Sequence, residues 1–281
     1  MSATQIYRTL LPTLTTALHS FQSSSSKFRI VHTLRSSSAT PKSLLILDSS
    51  FNPPNLAHLL LTTSALSSFP TPAPRLLLLF STHNADKAPS AASFPQRLAL
   101  MAVFATDLIQ RLSHPPQVDI GLTTLPYYTD KSAAIVADGY CPGAKHTHLM
   151  GFDTLTRFLA PKYYPKFDPP LSALEPYFEA GHGLRVTIRP SEEWGTVEEQ
   201  RGFVEGLGKG EMERDGGRRE WMERIEMVEQ VEEEDVSSTR ARRAAKSGRW
   251  EEVARVCTER VAEVLREEGI YADDDRGAKM A

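Results

Sequence analysis

The chain of 281 residues is poor in cysteine and nearly balanced in charge, with two cysteines, Cys141 and Cys257, and a net charge of −3. So few cysteines exclude a disulfide-rich scaffold and favour a reducing compartment. The balanced charge gives no general argument for nucleic acid or an anionic membrane as a partner. The sequence also lacks an apolar run long enough to cross a bilayer. We therefore expect neither a nucleic-acid nor a membrane partner, and the oligomeric state stays open.

Acidic side chains are absent from residues 1–47, which are rich in serine and threonine. This composition is typical of a mitochondrial transit peptide. The spacing in "IYRTLLPTLTTALHSF" nevertheless predicts a helix, and "FRIVHTL" predicts a strand. We favour residues 1–43 as a helix and strand docked to the fold. The expected location is then cytoplasmic and/or nuclear, with a mitochondrial location as the alternative.

Apolar runs and helical patterns alternate from residue 44 onward. The runs "SLLILD", "RLLLLF", "VDIGL" and "HTHLM" predict strands buried on both faces, and segments such as "NLAHLLLTTSAL" and "SFPQRLALMAVFATDLI" predict helices. The alternation predicts an α/β fold with a Rossmann-like, open, mostly parallel sheet and helices on both faces. In such sheets ligands bind beyond the carboxyl ends of the strands, so the loops after these runs should share one rim.

The character of the sequence changes at about residues 191–235, which are charged, acidic overall and rich in glycine. We interpret this segment as an exposed insertion with one helix and a mobile loop. Its end, "WMERIEMVEQVEEED", fits a strand or a helix, and we favour a strand. The final segment is predicted to be helical, with two helices separated near Ser247 and Gly248.

The first candidate site is "SSFNPPNLAHL", which follows the strand "SLLILD". Ser49, Ser50 and Asn52 are small polar residues, and the paired prolines suit the first turn of a helix. His58 lies about one turn further on and can point back to the amino end of that helix, where free amides attract anions. The combination predicts a phosphate site. The alternative is an ordinary capped helix with a half-buried histidine.

The second candidate site is "VSSTRAR", whose hydroxyl residues are good helix N-caps. The cations Arg240, Arg242 and Arg243 follow in the first turns, where they oppose the helix dipole. They are well placed if an anion binds at that helix start. The alternative is a solvated basic face, with "EEED" just upstream as its counterion.

The third candidate is "HLMGFDTLTRF", in which Gly151 permits close backbone approach at a strand end. Asp153 can accept a hydrogen bond from a ribose hydroxyl there. The alternative is a glycine turn with Asp153 as the N-cap of the next helix.

Weaker signals come from single residues. Lys87 in "THNADK" can reach a phosphate as a point charge, although most loop lysines do not. Trp194 in "SEEWG" can stack on an aromatic ring or fill a gap in packing. His146 and His148 alternate onto one strand face and suggest a zinc pair, but the sequence offers no matching third ligand.

These motifs resemble a known family. "SSFNPPNLAHL" is similar to the "GSFNPPHxGHL" signature of nucleotidyltransferases, "GFDTL" to their "GxD" element, "VSSTRAR" to "ISSTxxR", and "QRLALM" to "hRxxM". The closest resemblance is to nicotinamide mononucleotide adenylyltransferases, and among them to fungal homologues of the promoter-of-filamentation type. These share "LDSSFNPP" and a stretch seen here as "DTLTRFLAPKYYP". The resemblance covers about Leu44 to Tyr271, apart from the predicted insertion. It implies that residues 44–281 form a nucleotidyltransferase domain.

The resemblance implies that ATP and nicotinamide mononucleotide give NAD and pyrophosphate by direct in-line attack. Magnesium would accompany ATP, and no residue is predicted as a metal ligand. The implied catalytic residues are His58 and Arg242. The implied ATP-binding residues are Ser49, Asn55, His58, Gly151, Asp153, Ser238, Thr239 and Arg242. The implied mononucleotide-binding residues are Ser50, Phe51, Lys87 and Trp194.

The chain departs from the family signature at three positions. Asn55 stands where the family has its first histidine, Ala57 where it has a glycine, and Ser49 at the leading glycine. Asparagine can donate a hydrogen bond but cannot carry charge. The rival hypotheses are a CTP-using nucleotidyltransferase, an ATP hydrolase, and a nucleotide-binding regulatory protein with weak or no transfer, for which residues 191–235 would be a contact surface.

Overall fold

A computed structural model of the chain describes residues 1–36, 40–69, 74–82, 92–229 and 236–272. These residues form one seven-stranded sheet with the order β1-β4-β3-β2-β5-β6-β7. The strands are β1 (Phe28–Leu34), β2 (Ser43–Asp48), β3 (Arg75–Ser81), β4 (Val118–Thr123), β5 (Lys145–Gly151), β6 (Gly183–Ile188) and β7 (Ile225–Glu229).

The six strands from β2 to β7 are parallel, and β1 pairs antiparallel with β4 at one edge. Counted along the chain from β2, the parallel strands lie in the order 3-2-1-4-5-6. The direction of the strand order reverses between β2 and β5, which makes the gap between their carboxyl ends the expected ligand site. The predicted Rossmann-like, mostly parallel α/β sheet is confirmed.

Helices cover both faces of the sheet. They are α1 (Ala3–Gln22), α2 (Leu56–Ser67), α3 (Phe94–Arg111), α4 (Tyr128–Ala137), α5 (Phe152–Phe158), α6 (Glu175–Glu179), α7 (Val197–Lys209), α8 (Ser238–Lys246), α9 (Trp250–Val256) and α10 (Glu259–Glu267). Leu45 and Leu47 of β2 join the core under α1, α3 and the last three helices, whereas Leu44 and Ile46 join a second core with α4. Burial on both faces explains why this strand is a continuous apolar run. None of the described helices is long and apolar enough to cross a membrane.

The helix and strand predicted near the amino terminus are present and packed on the core. A capping box between Ser2 and Gln5 begins α1, and its residues Tyr7 and Phe21 are fully buried. The helix contacts α3 and α10, and β1 is hydrogen-bonded along the whole length of β4. These elements are therefore part of the same hydrophobic core as β2 and β3.

In the described part of residues 191–235 the predicted helix is present as α7, but several apolar side chains are buried rather than exposed. The apolar side of α7 buries Val204 and Leu207, and Trp221 is 2% exposed where it stacks on Phe178. The following strand β7 pairs with β6 and extends the sheet, which confirms the preferred strand. The charged residues of this segment lie on its surface. Its buried apolar residues are widely spaced in the sequence, so no apolar run marks them as core.

The carboxyl-terminal segment contains three helices rather than the two predicted. The break near Ser247 and Gly248 is confirmed, and Gly248 has the positive φ of +65° that suits a glycine there. A second break at Cys257 and Thr258 separates α9 from α10. Both residues are buried, so tertiary packing rather than a local turn signal sets this break.

Candidate active site

The first and third sequence motifs meet where the strand order reverses. Ser49 follows β2 directly, and Gly151 ends β5, which is paired with β2 up to Leu47 and Leu149. The Ser49 amide donates to the carbonyl of Leu79 in β3. The loop after β2 is thus anchored at the carboxyl edge of the sheet, the location expected for a ligand site.

The Phe51 side chain anchors this loop. Phe51 is fully buried, has a left-handed φ of 44°, and its ring lies 5.0 Å from that of His58. A non-glycine residue in that backbone region is uncommon and persists where packing holds it. Neighbouring Ser50 is exposed. Of the two residues predicted to border the mononucleotide, Ser50 can touch a ligand with its side chain, whereas Phe51 acts by shaping the loop.

Asn55 and His58 close a capping box at the start of α2. The Asn55 Oδ1 accepts from the His58 amide at 3.2 Å, and His58 Nδ1 accepts from the Asn55 amide at 3.1 Å. Because Nδ1 is an acceptor, the neutral ring carries its proton on Nε2. That nitrogen lies 2.8 Å from Ser49 Oγ and donates to it. The Ser49 hydroxyl proton is then available to an acceptor such as a phosphate oxygen.

His58 is more buried than the sequence suggested. It is 8% exposed and lies between Phe51 and Phe104. Burial lowers the pKa of His58 to about 4, so the ring is neutral near pH 7. His58, which only the alternative interpretation made half-buried, is therefore a buried neutral donor whose N–H reaches the rim through Ser49.

The second motif joins the first through Asn55. Its Nδ2 donates to Ser238 Oγ at 3.1 Å, and Ser238 Oγ donates to the Pro53 carbonyl at 2.8 Å. Ser237 begins α8 by accepting from the Arg240 amide at 3.2 Å. The departure from the family signature at Asn55 thus has a clear structural role, since this amide both caps α2 and holds α8.

Arg242 is the arginine of α8 that reaches the loop after β2. Its Nη1 donates to the Asn52 carbonyl at 2.7 Å, and its Nη2 donates to Thr239 Oγ1 at 3.1 Å. Arg240 turns instead to Glu252, at 3.0 Å. In the described ranges no carboxylate forms an ion pair with Arg242, and the "EEED" run lies outside them. A half-buried cation without a paired carboxylate is well suited to a phosphate.

Gly151 is the N-cap position of α5, which corrects the alternative that gave this position to Asp153. A Cβ at Gly151 would lie 2.8 Å from Asp153 Oδ1, so a larger residue there would make the Asp153 carboxylate shift. Asp153 forms an ion pair with Arg157, one turn along α5, and keeps 29% of its side chain exposed. Its carboxylate remains accessible at the rim beside β2.

The other predicted mononucleotide residues are less central. Lys87 lies outside the described residues. Trp194 belongs to a turn beyond the carboxyl end of β6, where its amide donates to Ser191 Oγ at 3.1 Å. Its ring is partly buried against the core formed by α5, α6 and α7. The packing interpretation of Trp194 therefore has direct support, and its predicted contact with a mononucleotide stays a prediction.

The histidine pair of β5 is taken up by contacts within the protein. His146 stacks on His182 at 4.1 Å, and His148 Nδ1 lies 2.8 Å from the Tyr177 hydroxyl. Burial lowers the pKa of His146 to about 3 and that of His148 well below its usual value. Across the described ranges, no group of three or more His, Cys, Asp or Glu side chains could hold a metal ion.

Sequence reasoning missed three polar groups near the site. Lys131 of α4 forms a buried ion pair with Asp48, the last residue of β2. Tyr271 donates its hydroxyl proton to Asn52 Oδ1 at 2.8 Å, and Arg97 lies buried at the start of α3. The segment "QRLALM" does contain Arg97, so that residue carried a signal. Tyr271 comes after the last helix, and no local pattern indicates its contact.

Comparison with known proteins agrees with this architecture. No protein-family model matches the chain. The Schizosaccharomyces pombe protein named "Putative nicotinamide mononucleotide adenylyltransferase" is 30% identical over 251 residues, which are 89% of this chain and 93% of that protein. Two structures of Plasmodium falciparum nicotinic acid mononucleotide adenylyltransferase, complexed with APC and with NaAD, match with TM-scores of 0.51 and 0.50. They are 11% and 12% identical to this chain, and each match covers 83% of this chain and 98% of the Plasmodium chain. At this level of identity they show the fold alone.

The chain therefore belongs to the nucleotidyltransferases, in the family of its Schizosaccharomyces pombe relative. This family membership agrees with the resemblance seen in the sequence motifs. It also explains why hydroxyl, amide and guanidinium groups, rather than a nucleophile, gather where the strand order reverses.

Proposed function

We propose that the protein transfers the adenylyl group of ATP to nicotinamide mononucleotide, giving NAD and pyrophosphate. The observation that carries the proposal is the bond from Asn55 to Ser238, which holds the two phosphate-binding motifs together although 183 positions separate them. The name of the Schizosaccharomyces pombe relative supports the nicotinamide form of the substrate. The names of the Plasmodium structures favour the nicotinic acid form as the second candidate.

The proposed reaction needs alignment and charge neutralisation rather than a covalent intermediate. A phosphate oxygen of the mononucleotide attacks the α-phosphorus of ATP, the new P–O–P bond forms, and the bond to the β-phosphate oxygen breaks to release pyrophosphate. Holding both phosphates in line lowers the entropic cost of reaching the transition state, and fixed donors stabilise the developing charge. The loop after β2 offers the hydroxyl of Ser49, and α8 offers the guanidinium of Arg242.

The proposed ATP contacts come from both motifs. The His58 proton acts through Ser49, while Arg242 with Ser238 and Thr239 faces the triphosphate from α8. Gly151 and Asp153 line the nucleoside side. The proposed mononucleotide contacts are Ser50, Lys87 and Trp194, and the fully buried Phe51 holds the loop that presents Ser50.

Magnesium enters this proposal as part of the ATP substrate. In the described part of the chain, the residues near the proposed phosphate position are donors and cations, and the nearby carboxylate of Asp48 is already paired with Lys131. This set suits phosphate oxygens rather than a metal ion. The ion would neutralise the triphosphate and be held by phosphate oxygens.

A single assay tests the proposal. Purified full-length protein is incubated with magnesium, ATP and nicotinamide mononucleotide, and the amounts of NAD and pyrophosphate are measured. We expect the two products in equal amounts. Parallel reactions replace nicotinamide mononucleotide with the nicotinic acid form, replace ATP with CTP, or omit the mononucleotide. ATP binding without either product would contradict transfer and support the regulatory hypothesis, whereas phosphate release without mononucleotide would support hydrolysis.

We also propose that residues 1–43 are retained and that the protein is cytoplasmic and/or nuclear. Loss of this segment would remove β1 from β4 and expose the buried face of α1. Amino-terminal sequencing of the protein purified from fractionated cells tests this. A mature protein that begins after residue 36 and is recovered from mitochondria would favour the alternative.

A further inference from the structure

The side chains at the end of β2 point alternately to the two faces of the sheet. Ile46 packs in the core with α4, whereas Leu47 packs in the core under α1 and α3. Asp48 continues this alternation, because its carboxylate pairs with Lys131 of α4. Ser49 continues it on the opposite face, where its hydroxyl contacts α2. The strand therefore ends with one polar group on each face.

The two faces are suited to different reactants of the proposed reaction. The groups proposed for the triphosphate come from α2 and α8, on the face of Ser49. In-line displacement places the attacking and leaving oxygens on opposite sides of the phosphorus. The acceptor mononucleotide should therefore approach from the face of Asp48 and α4.

The ion pair on that face is buried. The side chains of Asp48 and Lys131 are 7% and 5% exposed, and the Lys131 ammonium lies 5.0 Å from the centre of the Tyr128 ring. Burying two charges is costly, and apolar replacements of such pairs are often neutral or stabilising. Stability alone therefore gives no reason for an ion pair here, since the preceding residues of β2 that face α4 are apolar.

One carboxylate oxygen of Asp48 is left for a ligand. Lys131 binds Oδ2, and no donor among the described residues reaches Oδ1. Oδ1 is not one of the fully buried side-chain atoms that lack a partner, so it is accessible to solvent at the rim. A carboxylate accepts hydrogen bonds and donates none, and it disfavours a second anion beside it. The ligand group that fits this oxygen is therefore a hydroxyl or an N–H.

The neighbouring Ser50 indicates which part of a mononucleotide would lie there. Ser50 is exposed and follows Asp48 by two positions, so an extended backbone would place both side chains on one side, about 6.5 Å apart. The Ser50 hydroxyl is one of the proposed mononucleotide contacts and suits the phosphate. The ribose is bonded directly to that phosphate and carries two free hydroxyl groups. The spacing thus favours the ribose over the more distant pyridine ring.

We propose that Asp48 is a specificity-determining residue that accepts a hydrogen bond from a ribose hydroxyl of the acceptor mononucleotide, and that Lys131 is a positioning residue that holds its carboxylate. The identity of the acceptor rests on the proposed function. This contact would make the protein select ribonucleotides over deoxyribonucleotides as acceptors. The two residues are supplied by a strand end and by α4, outside the three sequence motifs.

Ligand binding tests the role of Asp48 without requiring turnover. The full-length protein, with an ATP analogue that cannot be cleaved at the α-phosphate, is titrated calorimetrically with nicotinamide mononucleotide and with its dideoxy form, which lacks both free ribose hydroxyls. The wild type should bind the dideoxy form about tenfold or more weakly, because one charge-assisted hydrogen bond is lost. Asp48→Leu/Lys131→Met removes both charges and leaves neither buried alone. This double variant should bind both forms alike, at the affinity of the wild type for the dideoxy form.

The matched control is Asp107→Asn. Asp107 is another buried carboxylate, and it pairs with Arg260 at 3.2 Å between α3 and α10. Its substitution should leave the preference for the ribose form within about twofold of the wild type. Loss of that preference in the control would contradict a specific role of Asp48.

The outcomes separate this role from the proposed function. A wild type without ribose preference, or a preference that persists in the double variant, would overturn the role of Asp48, and so would equal weakening of both forms. An Asp48-dependent ribose preference in a protein that makes no NAD would keep the role and reject the proposed function. NAD formation by the double variant at the wild-type KM for the mononucleotide would do the reverse. A wild type that binds neither form would reject both.

If the double variant fails to fold, Asp48→Asn decides the question. It keeps the shape of the side chain but loses the charge, so the ribose preference should fall several-fold. An unchanged preference in the folded Asp48→Asn protein would contradict the proposal.

Lys131→Met and Lys131→Arg test the positioning role. Lys131→Met should reduce the ribose preference and raise the KM for the mononucleotide several-fold, with the KM for ATP unchanged. Lys131→Arg keeps a cation beside Asp48 and should restore most of the preference. A lower melting temperature with an unchanged ribose preference in Lys131→Met would show that Lys131 is only structural.

Discussion

Two groups of polar side chains lie on opposite faces of the sheet, and they differ in connection and charge. The active-site network of Ser49, Asn55, His58, Ser238 and Arg242 joins two distant parts of the chain at the carboxyl edge. The histidine cluster is defined as His146, His148 and His182 with Tyr177, and it packs under α4 and α6.

The histidine cluster begins at the amino end of β5, far along the strand from Gly151. Its members are neutral, and the Nε2 atoms of His146 and His148 are buried without a hydrogen-bond partner among the described residues. The active-site network instead ends in a cation that no described carboxylate pairs. The comparison shows that a high density of titratable residues does not by itself indicate a site. Position at the carboxyl edge and unbalanced charge are the informative features.

The largest expected effect concerns the cation of the active-site network. Arg242→Ala should reduce NAD formation by about 10²–10³-fold, because it removes a fixed positive donor from the transferring phosphates. Arg243→Ala is the matched control, since this neighbouring arginine is exposed on the same helix. Steady-state rates of NAD formation measure both variants. Equal losses in the two would mean that general positive charge, rather than the position of Arg242, matters.

A medium effect is expected from the histidine cluster, and it concerns stability rather than activity. Burial lowers the pKa of His146 to about 3 and that of His182 to about 4, and it lowers the pKa of His148 as well. Below about pH 6.5 the three histidines therefore bind protons in the unfolded chain but stay neutral in the folded chain. The stability supplied by these neutral rings is complete above about pH 6.5 and falls as the pH decreases toward the folded-state values.

His148→Leu should reduce this pH dependence by as much as about 1.4 kcal/mol per pH unit, the contribution of one proton. Urea unfolding between pH 7 and pH 4 gives the slope. His114→Leu, at an exposed position, is the control, and its unfolding free energy should change with pH as steeply as that of the wild type. A steep wild-type slope that persists unchanged in His148→Leu would place the acid sensitivity elsewhere, including at His58, whose pKa is also lowered to about 4 by burial.

The smallest expected effect separates the two roles of Asn55. Asn55→Ala removes the N-cap of α2 and should lower the free energy of unfolding by about 0.5–2 kcal/mol. Asn55→Asp keeps the capping oxygen but loses the donor to Ser238 and adds a negative charge near the proposed phosphates. Its loss of stability should be about 1 kcal/mol, from the lost bond to Ser238, and smaller than that of Asn55→Ala, which loses both the cap and this bond, while its KM for ATP rises.

Unfolding curves and ATP kinetics of the two Asn55 variants give the comparison. Equal loss of stability in both would mean that the bond to Ser238, rather than the cap, stabilises this junction. Wild-type KM for ATP in Asn55→Asp would contradict a phosphate position near Ser238.

Much of the site was predictable from the sequence, because it lies in local patterns. Apolar runs such as "SLLILD" indicated strands buried on both faces, and parallel strands bring their carboxyl-end loops to one rim. The motifs around His58, Gly151 and Arg242 therefore came together as expected. The partners of His146 and His148 were not predictable, because sequence spacing identifies a shared strand face but not the side chains that pack on that face.

By itself the sequence determined the α/β class, the helix starts with their capping residues, and the types of polar group at the rim. Tertiary structure alone decided that Asn55 bonds to Ser238, that Trp221 is buried against Phe178, and that Tyr271 meets Asn52. Local patterns fix the backbone class and buried face of each element, because those depend on neighbouring residues. Contacts across nearly the whole chain depend on strand order and on the packing of the last helices, which no short stretch encodes.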